Sequence, residues 1–125
     1  MKYWIVIAAI SGAMCVMLGA FASHGLKSIV SAQRLDVFHT AVDYQFYHSL
    51  ALMLVAVLRH HYNSLERQLC QVAGLFCAGI LLFSGSLYTL VLTDTPWLGA
   101  ITPFGGSAFI IGWLYLALSV LRNEK

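Results

Sequence analysis

The sequence predicts an all-α integral membrane protein: one transmembrane domain over residues 1–125, a four-transmembrane-helix bundle with both termini cytoplasmic and a short interfacial segment between helices one and two. Three observations predict it. The 125 residues are 60% hydrophobic and only 10% charged, far from the balance of a soluble globular chain. Charges gather at Lys2, at 27–36, at 59–67, at Asp94 and at 122–125, leaving four apolar stretches of about 20 residues or more, enough to cross a hydrocarbon core. No polar stretch is long enough to fold as a soluble domain, so any activity must be built from the helices and their short connections.

Helix one is expected over residues 3–23. Ser11, Cys15, Gly19 and Ser23 recur every four residues, with Ala8 and Gly12 beside them, a small-residue stripe that lets transmembrane backbones approach closely. Lys2, the apolar run and Ala20-Phe21-Ala22 mimic a cleavable leader, but the run from Tyr3 to Gly19 is longer than a leader core, so the segment is expected to be retained. The connection 24–36 carries Gly25 as a helix stop and Ser31 as a cap for a short interfacial helix.

Helix two, over residues 37–58, is the puzzle of the chain. Its second half is uniformly apolar, whereas its first half carries His39, Asp43, Tyr44, Gln45, Tyr47 and His48 where water should be scarce. Asp43 is the only formal charge within the four apolar stretches. At 100° per residue, Asp36, His39, Asp43 and Tyr47 share one face, while Tyr44, His48, Ala51 and Val55 share another about 100° round. His39 and Asp43 are spaced for an i, i+4 contact, read first as an interfacial pair that orients the helix end. Ionisable groups at membrane depth mark functional sites by default, so proton handling and metal ligation stand beside that reading. His48, one turn deeper, is expected to bond to a neighbouring helix. His60 and His61, adjacent in a polar loop, point different ways and read as a solvated pair.

Helix three, over residues 68–92, places Gly74, Ala78 and Gly85 on a small-residue face, and Ser84 and Ser86 can bond back to their own helix or across to helix two. In the hairpin that follows, Pro96 suits a helix start. Helix four, over residues 97–121, contains Thr102-Pro103-Phe104-Gly105-Gly106, which predicts a kink or broken turn near Pro103. Beyond it, Gly105, Ala108, Gly112, Leu116 and Ser119 form a close-approach stripe, with Trp113 and Tyr115 facing other ways.

Lys2, Arg59, Arg67, Arg122 and Lys125 fall on one side of the membrane, against Lys27 and Arg34 on the other, and this bias places both termini in the cytoplasm. The end of helix one, the polar start of helix two, the Ser-Gly-Ser end of helix three and the Pro-Gly-Gly start of helix four then lie toward the outer leaflet. There His24, His39, Asp43, Tyr44, Gln45, Tyr47, His48, Ser84, Ser86, Tyr88, Thr102, Gly105 and Gly106 are expected to form one polar cluster.

Four ordered motifs carry a family resemblance over nearly the whole chain: residues Leu18-Gly19-Ala20-Phe21-Ala22-Ser23-His24-Gly25-Leu26; Tyr44-Gln45-Phe46-Tyr47-His48-Ser49-Leu50-Ala51-Leu52; Phe83-Ser84-Gly85-Ser86-Leu87-Tyr88; and Thr102 through Trp113. They resemble the signatures of the domain of unknown function 423 family, also called uncharacterised protein family 0382, which includes the transmembrane protein 256-like proteins. One departure is Ala22-Ser23 before His24, where the family commonly reads Gly-Ala; it bears on packing. The resemblance implies a small multi-pass protein of the bacterial inner membrane and supplies no activity.

Three function classes remain. The first is a non-enzymatic bundle that binds a lipid, another hydrophobic ligand or a protein partner through the polar cluster, with a homo-oligomer as one form of partnership. The second is a small proton- or cation-coupled transporter or channel using Asp43 and His48. The third is a metal- or haem-binding redox module using His24 with His39 or His48, since His39 and His48 lie on opposite sides of one helix. The first reading involves no catalytic residue, metal or cofactor. Beyond the lipid bilayer, nucleic acid is set aside because a net charge of +2 is small and scattered. Cys15, Cys70 and Cys77 are odd in number and lack metal-like spacing, so no disulfide framework follows.

Overall fold

In the computed structural model, which describes residues 1–123, helices α1 (Lys2–His24), α2 (Ala32–Leu58), α3 (Glu66–Gly79), α4 (Gly85–Thr93) and α5 (Thr102–Asn123) form a membrane bundle of four spans. Lys125, counted above among the basic residues, lies outside the described part. A π-helical turn at Ile80–Ser84 joins α3 to α4, so the third span runs unbroken over Asn63–Thr93. Short 3₁₀ turns complete the connections at Leu26–Ser28, Asn63–Leu65 and Pro96–Ala100.

Local chemistry sets the helix ends. Ser31 caps α2, its hydroxyl accepting the Arg34 amide at 3.2 Å, so α2 starts at Ala32 and the short segment between the first two spans is the 3₁₀ turn Leu26–Ser28 with its connection. Asp94 ends α4 in the left-handed region at φ 50, and Pro96 opens the next turn, where its missing N–H costs nothing. The expected irregularity at the fourth span is present, but it falls at Ala100 and Ile101. Pro103 sits inside the first turn of α5, where no intrahelical bond is lost, so it starts that helix instead of kinking it.

The two ends of the bundle close with separate apolar clusters. At one end Met1, Leu58, Tyr62, Leu65, Leu69 and Val120 belong to one cluster, and Ser64 donates to Asn123 at 2.7 Å, so the start of α1, the end of α5 and the second connection lie side by side. At the other, Ala22, Leu26, Phe38, Leu90 and Val91 form the core under Val30 and Leu98, with Arg34 and Asp94 paired at 3.1 Å above it. An exposed pair of that kind contributes about 1 kcal/mol or less.

Spans two and three carry the buried faces, while α1 and α5 flank them with much of their surface outward. Contact between the third span and α5 is a ladder of glycine against phenylalanine in antiparallel register. A Cβ on Gly112 would stand 2.8 Å from the Phe76 ring, one on Gly79 would overlap Phe109, and one on Gly105 would come within 2.7 Å of Phe83 Cα. Here hydrogen at three positions sets the helix separation, as small residues do where no hydrophobic force distinguishes protein from lipid. Gly74 and Gly12 have open space instead, so the stripes expected on helices one and three are only partly contact surfaces. On α1 the buried positions are Ala8, Ser11, Cys15 and Ala22, whereas Ser23 is exposed.

Candidate functional site

The polar residues of α2 are divided by the geometry of the helix. Gln45, His48 and Ser49 turn inward, at 3%, 5% and 3% exposure, whereas Asp43, Tyr44 and Tyr47 are exposed. The thirteen expected residues therefore do not line one outer cavity; they separate into an inner network, an aromatic site and an outer face.

The network begins at Gln45. Its Nε2 donates to the Ser11 hydroxyl at 3.1 Å and reaches the Ser11 carbonyl at 3.3 Å, while its Oε1 accepts the Tyr88 hydroxyl at 2.6 Å. Ser49 lies 2.7 Å from Ser11 and 2.6 Å from the Gln45 carbonyl. A hydroxyl has one hydrogen to give. A consistent chain therefore runs from Ser49 to the Gln45 carbonyl, Ser11 to Ser49, Gln45 to Ser11 and Tyr88 to Gln45, which ties α1, α2 and α4 together. At about 1.5 Å per residue, Ser11 lies some 14 Å along α1 and Gln45 some 20 Å along α2, so the network sits near mid-span and not at the outer leaflet. Ser11 carried a signal only as part of the small-residue stripe; nothing in the sequence paired it with Gln45.

Nearer the far end, Ser84 is fully buried and donates to the Ala41 carbonyl at 2.7 Å, joining the π-helical turn to α2. Ser86 bonds the Phe83 carbonyl at 2.9 Å and the Thr102 hydroxyl at 2.7 Å, joining α4 to the start of α5. Both serines thus bond across helices, and Ser86 bonds back as well. The π turn widens the helix by about one residue per turn. That extra residue lets Phe83 face Gly105 while Ser84 faces α2.

His48 occupies the second site. Its ring lies 3.5 Å from that of Phe109 at an interplanar angle of 11°, with Phe76 and Trp113 edge-on at 5.5 and 6.0 Å. Trp113 Nε1 is 3.1 Å from His48 Nε2, and the Tyr44 carbonyl is 2.8 Å from Nδ1. An indole nitrogen only donates and a carbonyl only accepts, so Nε2 must be bare and Nδ1 must carry the hydrogen. Both ring nitrogens are therefore occupied, and the tautomer is fixed. Trp113, read from the sequence as facing elsewhere, supplies the bond that anchors His48.

The remaining candidates lie apart from these sites. His24 is exposed at the end of α1, and Gly106 borders the Phe83 ring. His39 is half-buried, and the expected contact with Asp43 is not formed: among the described residues the ion pairs are Arg34 with Asp94 and Arg59 with Glu66. Asp43 and His48 stand about 140° apart around α2. Asp43 is exposed and His48 is buried, so the two do not face one cavity within one bundle. Among the described residues no group of three or more His, Cys, Asp or Glu side chains could hold a metal ion.

A groove of about 400 Å³ opens between α1 and the third span. Trp4, Ile7, Ile10, Met14, Cys77, Ile80 and Leu81 form its apolar walls, and Ser11 and Gln45 lie in its floor. Ile7, Ile10, Met14 and Leu81 are strongly exposed, so the groove faces the acyl chains of a surrounding bilayer. No buried side-chain nitrogen or oxygen lacks a partner among the described residues, so the floor offers a satisfied polar patch rather than a free reactive group.

Residues 18–106 match the family model described as "Protein of unknown function (DUF423)". The chain is 43% identical over 122 residues to the UPF0382 membrane protein YwdK of Bacillus subtilis, covering 98% of each. It is 42% identical to the UPF0382 membrane protein SAB0533 of Staphylococcus aureus, again covering 98% of each, and 40% identical to a UPF0382 membrane protein of Haemophilus influenzae, covering 98% of this chain and 96% of that one. No solved structure matches.

Proposed function

We propose, for a chain that belongs to the DUF423 family of UPF0382 bacterial membrane proteins, a non-catalytic role: it holds one apolar chain of a lipid or similar hydrophobic ligand in the lateral groove between α1 and the third span. The observation that carries this reading is the groove itself. Its volume falls in the range of about 300–1,000 Å³ typical of ligand sites, and its walls are almost entirely aliphatic, aromatic or thiol. The inner polar groups support a role without chemistry, because Gln45, Ser11, Ser49 and Tyr88 use their hydrogen bonds on one another. Such closed networks fix helix positions. The excess of Lys and Arg at the Met1 end supports cytoplasmic termini, and with them a groove in the inner half of a bacterial inner membrane.

The test is photolabelling in liposomes with a phospholipid that carries a diazirine on its acyl chain. Adducts are expected to concentrate on Ile10, Met14 and Leu81 relative to Leu114, an exposed position on α5, and to fall when Cys77→Phe fills the groove. Uniform labelling over all outward residues, unchanged in Cys77→Phe, would overturn the reading.

A further inference from the structure

The outward face of α2 carries an exposed repeat. Asp36, Asp43, Leu50 and Val57 recur every seven residues, with Thr40, Tyr47 and Leu54 four residues after the first three, and all seven side chains are exposed. Intervals of three and four residues over this length are the spacing of a helix seam. Asp43 lies about 17 Å along α2, close to mid-span, at the centre of this stripe. Facing lipid alone, a carboxylate at that depth is expensive, and such groups ordinarily face a partner. α1 packs against one side of the stripe and the aromatic contacts of α5 against the other, leaving this strip uncovered.

We infer that the exposed seam of α2 is the interface of a parallel two-fold dimer, with a second copy of this chain as the occupant. Two features select a second copy. Copies inserted the same way bring each seam position to its own level in the partner, so identical repeats interlock without offset, as a two-fold interface requires. The polar positions also match. Each Asp43 carboxyl meets the Thr40–Tyr47 level of the other copy, where the Tyr47 phenol is a donor with no other bond assigned, and His39 borders the seam about one turn from Asp43. Among the described residues Asp43 has no ion-pair partner within one copy; across the axis the Tyr47 phenol and the His39 imidazole offer it donors. The seam is polar from Asp36 to Tyr47 and apolar from Leu50 to Val57, and Asp43 is its one formal charge within the apolar stretch 37–58, the kind of position that fixes register. This face is separate from the groove, so either inference can fail without the other.

The test is disulfide and step-bleaching analysis in liposomes at low protein density. Leu50→Cys and Val57→Cys are expected to form cross-linked dimers about threefold to tenfold more than either the unaltered chain or Val16→Cys on the exposed face of α1, the range that polar contacts between membrane helices can supply. Singly labelled chains should bleach in two steps. Asp43→Lys in the Leu50→Cys chain should reduce the cross-link by a similar factor, because two lysines supply no acceptor. Mixing those copies with Asp43 copies should restore a heterodimer and show that the lysine chain is inserted. One-step bleaching, cross-linking at Leu50→Cys no greater than at Val16→Cys, no loss with Asp43→Lys, no recovery on mixing, or a cross-link only to a different protein in native membranes would each overturn the inference.

Discussion

His48 Nε2 lies 3.1 Å from the Trp113 indole nitrogen, and that bond joins α2 to α5 across a stack of rings. It decides the tautomer, because tryptophan can only donate. The expected outcome in ¹⁵N NMR of the ring is a hydrogen on Nδ1 and a bare Nε2, with Trp113→Phe shifting the Nε2 resonance most. A hydrogen found on Nε2 in the unaltered protein would contradict the arrangement.

Gln45→Leu breaks bonds to Ser11 and Tyr88 together and should destabilise the bundle by about 1–2 kcal/mol, the upper part of the range for hydrogen bonds between membrane helices. Unfolding by sodium dodecyl sulfate in mixed micelles measures it. Adding Tyr88→Phe should cost less in the Gln45→Leu chain than in the unaltered one, since its acceptor is already gone. Strict additivity would show that the two side chains do not interact.

Glycine substitutions should separate contact from open space. Gly105→Ala drives a methyl group into the Phe83 backbone, which cannot rotate away, and should cost about 2 kcal/mol or more. Gly74→Ala meets nothing within 4 Å and should be neutral or stabilising by up to about 1 kcal/mol through helix propensity. The same unfolding assay ranks them, and equal effects would undo the glycine and phenylalanine ladder.

Orientation has its own measurement. With a membrane-impermeant maleimide added outside intact cells, Ser28→Cys and Thr95→Cys should label, and Ser64→Cys should label only after lysis. The reverse pattern would place the Met1 end outside and overturn the charge-based assignment.

The sequence by itself determined the number of spans and the family. Those properties depend on local quantities: an apolar run long enough for a bilayer, charges confined to the connections, and Ser31 and Pro96 at helix starts. It also marked α2 as the helix with a polar half. Only the tertiary structure decided which side of that half is buried. Gln45 and Asp43 are two residues apart and so about 200° apart around the helix, yet composition rates both as polar and expensive in lipid. What separates them is that Ser11 and Tyr88 stand opposite Gln45, while Asp43 is exposed. The π turn at Ile80–Ser84 was equally invisible, because it is held by Ser84 reaching Ala41 and Phe83 meeting Gly105, contacts distant in the chain. Trp113 reads alone as an interfacial aromatic and becomes the anchor of His48 only once α5 lies beside α2. Hydropathy along a chain sets how many helices cross a membrane, whereas the pairing of their polar atoms depends on the rotation of each helix against its neighbours.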